Sequence, residues 1–395
     1  MRRWMAASLL FALIVAFCSS IDAPKVQAQA KAVPPEEETF MTADGIQLHG
    51  LFHKSAKNPG SDPVVILIYP PGKDNSMTKG DWIGLANRLT NEGYNVFRFD
   101  WRGHGKSNDI KDAVKFWTNE FTGVQNQRSI KGANQKPIKD TFRYADFKDA
   151  ASAISYMPVY VTDLAAVRAH LDSKNDAGEV NTSSIFLIGS EGAATIGLGW
   201  MATEWNRPQF APTPNQLLPI DPKYKFVPQQ LRDRDYETAG NDISGAVWLS
   251  AARPSSISKQ SILGLVSGIL PNGQRMPLAP KIRDNNPMLF VYASGDKNAE
   301  NGAKMFHNEA LVGAGNKGIG LRPLNDKYLM PIEKADKNVG VMLLGDNEKL
   351  KTEDNIVKFM STIQQERKGI VRRNRSYTSP YFIKLDAFGL VASQP

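Results

Sequence analysis

The sequence predicts an α/β fold, a single domain on a mostly parallel sheet with helices on both faces and two insertions. Three observations carry that expectation. The unbroken apolar runs Val64–Ile68, Ile185–Ile188, Ala246–Leu249 and Met288–Val291 have no polar alternation, which marks strands covered on both faces. After the first run, Trp82, Leu85, Ala86 and Leu89 recur at helical spacing, Gly93 stops the pattern and Tyr94–Phe99 resumes as a strand, which implies a right-handed parallel crossover. Finally, the run at Ile185 breaks at Gly189 and continues as an apolar segment through Trp200, so a buried strand turns sharply into a helix.

In chain order, Met1 to Ala30 carries Arg2, Arg3, an apolar run from Trp4 to Phe17 and small-residue sites ending at Ala28 and Ala30. This predicts a secretory signal peptide over residues 1–30, because the apolar run falls short of the ~20 residues that span a bilayer. Residues 31–395 form the expected domain, exported to the periplasm or the exterior, with no stable membrane span once the signal is removed. Bulky Phe17 beside Cys18 disfavours lipidation, and without Cys18 the chain has no cysteine. It can then hold neither a disulfide nor a cysteine nucleophile. Of the net charge of +8, Arg2, Arg3 and Lys25 against Asp22 leave with the signal, and much of the remainder sits in Arg367-Lys368 and Arg372-Arg373-Asn374-Arg375. That run reads as a solvated tail over about 366–395, and no nucleic-acid partner is expected.

Thr39 to Phe52 forms two short strands about Asp44-Gly45, a hairpin able to close a sheet edge. Val64–Ile68 ends in the turn Pro70-Pro71-Gly72-Lys73. Residues 108–158 scatter Trp117, Phe121, Phe142, Tyr144, Phe147 and Tyr156 among polar residues with no period, an irregular insertion. Val161 to Leu171 is a helix, residues 206–242 are a second, Pro-, Asp- and Gln-rich insertion, and a last strand is expected at Val339–Leu344.

After the second strand comes Asp100-Trp101-Arg102-Gly103-His104-Gly105-Lys106-Ser107. It resembles the D-x-R-G-H-G-x-S turn of α/β-hydrolases and stands at the expected distance after Pro70-Pro71-Gly72. The approach Ala177–Thr182 into the sharp turn also resembles the secreted peptidase and lysophospholipase branch. The resemblance covers about residues 40–363 and implies that Asp100, Arg102 and His104 hold their loop. It also implies that the turn after Ile188 is the elbow that presents a nucleophile. Two registers are open there. With Gly189 as the first glycine of G-x-S-x-G, Glu191 takes the nucleophile position and Ala193 replaces the second glycine. With Ser190 as the nucleophile, Gly192 is the second glycine but Ile188 stands where the crowded bend favours glycine. The first register is preferred.

An acyl-transfer site needs a nucleophile, a histidine base, an acid to orient it and amide donors for the oxyanion. Asp296, directly after a core strand, matches the acid position; Gly72, Lys73 and Gly192 fall on the oxyanion side. The expected histidine loop, Gly345-Asp346-Asn347-Glu348-Lys349, contains no histidine, and none of His49, His53, His104, His170 and His307 follows the last strand. His307 lies on the helix leaving the Asp296 turn and should point away from the elbow. Glu191 is expected to face Asp296, with Lys73 as its nearest cationic partner. No metal-ligand spacing is present and no cofactor is implied. Two functions fit: a catalytically degenerate member whose pocket binds a small molecule, peptide or envelope partner, or a serine-type hydrolase of carboxylic esters or peptides with a non-standard site built on Ser190, Glu191 and Asp296.

Overall fold

The computed structural model describes residues 34–119, 122–206, 239–253, 259, 282–312, 318–319, 322–323, 329–335, 338–367 and 372. The expected signal peptide, nearly all of the 206–242 insertion, Phe121 and most of the basic tail lie outside these residues.

An antiparallel hairpin of β1 (Glu36–Met41) and β2 (Gln47–His53) turns at Gly45, whose φ of 90° suits glycine,. Next come β3 (Pro63–Ile68), helix α1 (Trp82–Glu92) and β4 (Asn95–Phe99), with every residue of β3 and β4 buried. Gly93 ends α1 in the left-handed region, and the Tyr94 amide reaches back to the Leu89 carbonyl, the usual glycine stop. Helix α5 (Tyr160–Asp176), strand β5 (Asn181–Ser190), helix α6 (Ala193–Asn206), β6 (Ile243–Leu249) and β7 (Met288–Ala293) follow, all ten residues of β5 being buried. Beyond β7 lie α7 (Lys297–Lys304), β8 (Leu329–Ile332) and α8 (Thr352–Glu366).

The strands form one eight-stranded sheet in the order β1-β2-β4-β3-β5-β6-β7-β8, parallel from β4 through to β8. Helix α1 packs on α8, whereas α5 packs on α6, so apolar helix faces cover the uninterrupted Val/Ile/Leu surface of the central strands.

Two sequence expectations are corrected. The insertion at 108–158 is not irregular: it holds α2 (Ala113–Thr118), α3 (Gly123–Ser129) and α4 (Ala150–Ser155), with Phe116, Trp117, Phe142, Phe147 and Tyr156 buried. The first and last of these helices start at Asp112 and Asp149, whose carboxylates accept the first-turn amides of Lys115 and Ser152,. Val339–Leu344 is not a strand, since Gly340–Leu344 is a 3₁₀ turn, and the last strand among the described residues, β8, comes earlier, at Leu329–Ile332. Pro331 lacks an amide and suits an outermost strand, whereas Gly340, at a φ of 57°, breaks the apolar run where the strand was expected.

The turn after β4 is held from both sides. Asp100 accepts from the Tyr69 hydroxyl at 3.1 Å and the Met77 amide at 2.8 Å. Fully buried Arg102 spans Asp163 on α5 and Asp44 in the β1–β2 turn, each at 2.7 Å, and Thr122 of the insertion donates to the same Asp44. Charges removed from water must be paired to persist. This motif is therefore a clamp joining hairpin, helix and insertion.

Candidate functional site

Strand β5 lies between β3 and β6 at the centre of the sheet, and its last residue, Ser190, still pairs with Leu249. The bend falls one residue later. Glu191 has a φ of 50°, a left-handed backbone that non-glycine residues rarely adopt,. Its amide donates to the Leu249 carbonyl at 2.8 Å, and its carbonyl accepts from Ala194 and Ala252. The register with Ser190 at the bend is thus not the one the backbone takes. Ser190 is 1% exposed and its hydroxyl has no hydrogen-bond partner among the described residues.

The Glu191 carboxylate is half-buried and makes no side-chain hydrogen bond or ion pair among the described residues. Burial, and then the negative charge of Asp296, push its pKa above the ordinary glutamate value,. Asp296 caps α7, one of its oxygens accepting the amides of Asn298 and Ala299 at 3.1 and 3.0 Å. It therefore reaches the elbow as a charge while serving a helix end. Lys73 does not balance the pair. It is exposed and forms no ion pair with Glu191, which corrects the expected salt bridge.

The segment after β8 runs from Glu333 to Val339, and its sequence holds no histidine. It delivers Gly340 instead. A Cβ at 340 would stand 2.5 Å from the nearer Glu191 carboxylate oxygen, so bare backbone fills the space beside the elbow side chain. The Gly340 amide donates to the Ser250 hydroxyl at 2.9 Å, and Ser250, just after β6, is itself left-handed at a φ of 49°. Gly340 and Ser250 were missed by sequence reasoning; the glycine inside an apolar run was the available signal for the first.

The five histidines are all engaged elsewhere or remote. His53 accepts from Arg98 within the sheet, and burial and that cation lower its pKa to about 4. His170 pairs with Glu38 and stacks on Phe40. His307 is 2% exposed and lies edge-on to Phe290. His49 sits in β2 at the hairpin. His104 accepts from the Gly72 amide at 3.0 Å. That bond also corrects the oxyanion expectation at Gly72, whose N–H is committed to His104 and not offered to a ligand. Gly192, at the start of α6, has no amide bond among the described residues. Asp346 caps Asn347–Leu350 through the Lys349 amide, and among the described residues no three metal-ligating side chains converge.

Hairpin, parallel crossovers, strand order and a strained bend after the central strand together define the α/β-hydrolase fold, here with glutamate at the bend. No protein-family model matches the chain. Over 72 residues it is 35% identical to an uncharacterized protein, YfhR, found in two strains of Escherichia coli. That match covers 18% of this chain, which spans only 25% of the relatives' length. Among solved structures it is similar to an esterase of Pyrococcus furiosus (14% identity, 83% of this chain and 90% of that one, TM-score 0.42). Brefeldin A esterase, a bacterial homologue of human hormone-sensitive lipase, gives 14% identity over 87% and 81% of the two chains, with the same TM-score of 0.42. An α/β serine hydrolase homologue from Coxiella burnetii gives 12% identity over 85% and 99%, with a TM-score of 0.39.

Proposed function

We propose that this is a catalytically degenerate α/β-hydrolase, an exported protein whose elbow pocket binds a small molecule, peptide or envelope partner without turning it over. The observation that carries this reading is Glu191 at the bend with the Gly340 backbone close beside its carboxylate, in a stretch after β8 whose sequence holds no histidine. Attack by Ser190 would need a base within about 3.2 Å, and its hydroxyl has no partner among the described residues. Loss of the base from such a site typically costs ~10⁴ to 10⁶ in rate. Attack by Glu191 would form an ester that needs an activated water, and Asp296, with one oxygen capping a helix, is the sole titratable group coupled to it in the described structure.

Purified mature protein should show no hydrolysis of short-chain acyl esters above the buffer rate. Turnover abolished by Ser190→Ala or by Glu191→Gln would establish the alternative, an active hydrolase with a non-standard site. Export is part of the same proposal, resting on the Met1–Ala30 pattern, and the intact mass of exported material should begin at or near residue 31. A lipid on Cys18 would sink it.

A further inference from the structure

The bond between His104 and Gly72 joins the turn after β4 to the turn after β3, and its chemistry fixes the imidazole tautomer. A backbone carbonyl only accepts, so His104 Nδ1, 2.9 Å from the Arg102 carbonyl oxygen, must carry the proton,. A backbone amide only donates, so Nε2, 3.0 Å from the Gly72 nitrogen, must be bare,. The ring is 3% exposed and packed edge-on by Tyr69 beside β3, Tyr144 of the insertion and Tyr160 of α5. A proton added to Nε2 would set one N–H against another, leaving the Gly72 amide without an acceptor. Strand β3 pairs with β5 up to Ile68 and Gly189, so this turn and the elbow leave the sheet side by side.

We propose that His104 is an acid-operated latch on the turn after β3, holding the Gly72 amide while neutral and releasing it beside the elbow when protonated. The groups facing the ring set its threshold. Asp100 favours the proton, the hydroxyls of Tyr69, Tyr144 and Tyr160 are uncharged, and the Arg102 guanidinium is paired with Asp44 and with Asp163, whose pKa burial raises to about 6, so that below it Asp44 is left to balance the cation. Burial opposes the proton and dominates, lowering the pKa to about 4,. The freed amide would suit a carbonyl or anionic oxygen.

Hydrogen exchange of the mature protein, read on a peptide spanning Tyr69 to Met77 and corrected for intrinsic rates, tests this directly. Pro70 and Pro71 carry no amide, so Gly72 is the first reporter after Tyr69. Its protection should fall at least ~10-fold between neutral pH and about 4, while the β3 and β4 amides keep theirs. In His104→Gln the side-chain carbonyl accepts at any pH, and protection should persist. Constant protection in the wild type, an equal fall in His104→Gln, or a fall shared with β4 would each overturn the latch. Should that variant not fold, the side-chain ¹⁵N shifts of His104 in the wild type decide: Nε2 must report an unprotonated acceptor at neutral pH and gain its proton as Gly72 loses protection. Protonation without that loss would also overturn the proposal.

Discussion

Replacing Gly340 by alanine should destabilise the protein by ~1.5–3.5 kcal/mol, in two parts that can be separated. At a φ of 57° a residue with a Cβ pays ~1–2 kcal/mol for the left-handed backbone. The new Cβ would lie 2.5 Å from the Glu191 carboxylate, about 0.9 Å inside ordinary contact at 3.4 Å. Because the obstacle is the end of a flexible side chain, the carboxylate should swing aside at a cost of ~0.5–1.5 kcal/mol. Urea unfolding of Gly340→Ala in the wild-type and Glu191→Ala backgrounds forms a double-mutant cycle. The backbone part should survive in both, and the contact part should vanish with Glu191. Equal costs in the two backgrounds would refute the placement of bare backbone against the elbow carboxylate, and with it the account of the missing histidine.

Other perturbations follow from the same geometry. Glu191→Gln should leave the urea midpoint unchanged or raise it at neutral pH, because no cation among the described residues is left unpaired. A carboxyl whose folded pKa is raised contributes stability below its ordinary pKa that is lost as pH rises through the folded value,, so the advantage of Gln should grow from acid to neutral pH; a fall in midpoint would reveal an unseen partner. His53 is held neutral with a pKa of about 4 against an ordinary 6.5, which makes its contribution to stability present above 6.5 and lost as pH falls toward 4. The full gap corresponds to ~3 kcal/mol as an upper bound, and His53→Gln should flatten midpoint against pH across that window. Arg102→Met should cost ~3–5 kcal/mol by stranding Asp44 and Asp163 in the interior,; a change under ~1 kcal/mol in thermal or urea unfolding would show that the clamp carries little.

The central sheet was legible because its strands are unbroken Val, Ile and Leu runs punctuated by glycine, and burial on both faces leaves few other uses for such runs,. The elbow was legible as a bend but not as a register. Local glycine spacing allowed either residue, and the backbone is decided by Ser190 still pairing with Leu249, a contact 59 residues distant in sequence. The last strand was misplaced because five apolar residues carry no usable period, and Pro331 made the true strand look unlike one. Helices α2 and α4 were missed for their brevity, although Asp112 and Asp149 were visible as caps,. The Lys73 pairing failed because proximity in a turn says nothing about where a long side chain points. Nothing local foretold the bond between His104 and Gly72, which joins two turns 32 residues apart.

The claim that the elbow presents no activated nucleophile is tested most directly by the intact mass of mature protein after prolonged exposure to a fluorophosphonate. This reagent phosphonylates a serine whose hydroxyl has a base. The account predicts an unchanged mass, because Ser190 is buried in β5 with no partner for its hydroxyl among the described residues and Glu191 occupies the bend. A stoichiometric adduct that maps to Ser190 and disappears in Ser190→Ala would contradict it.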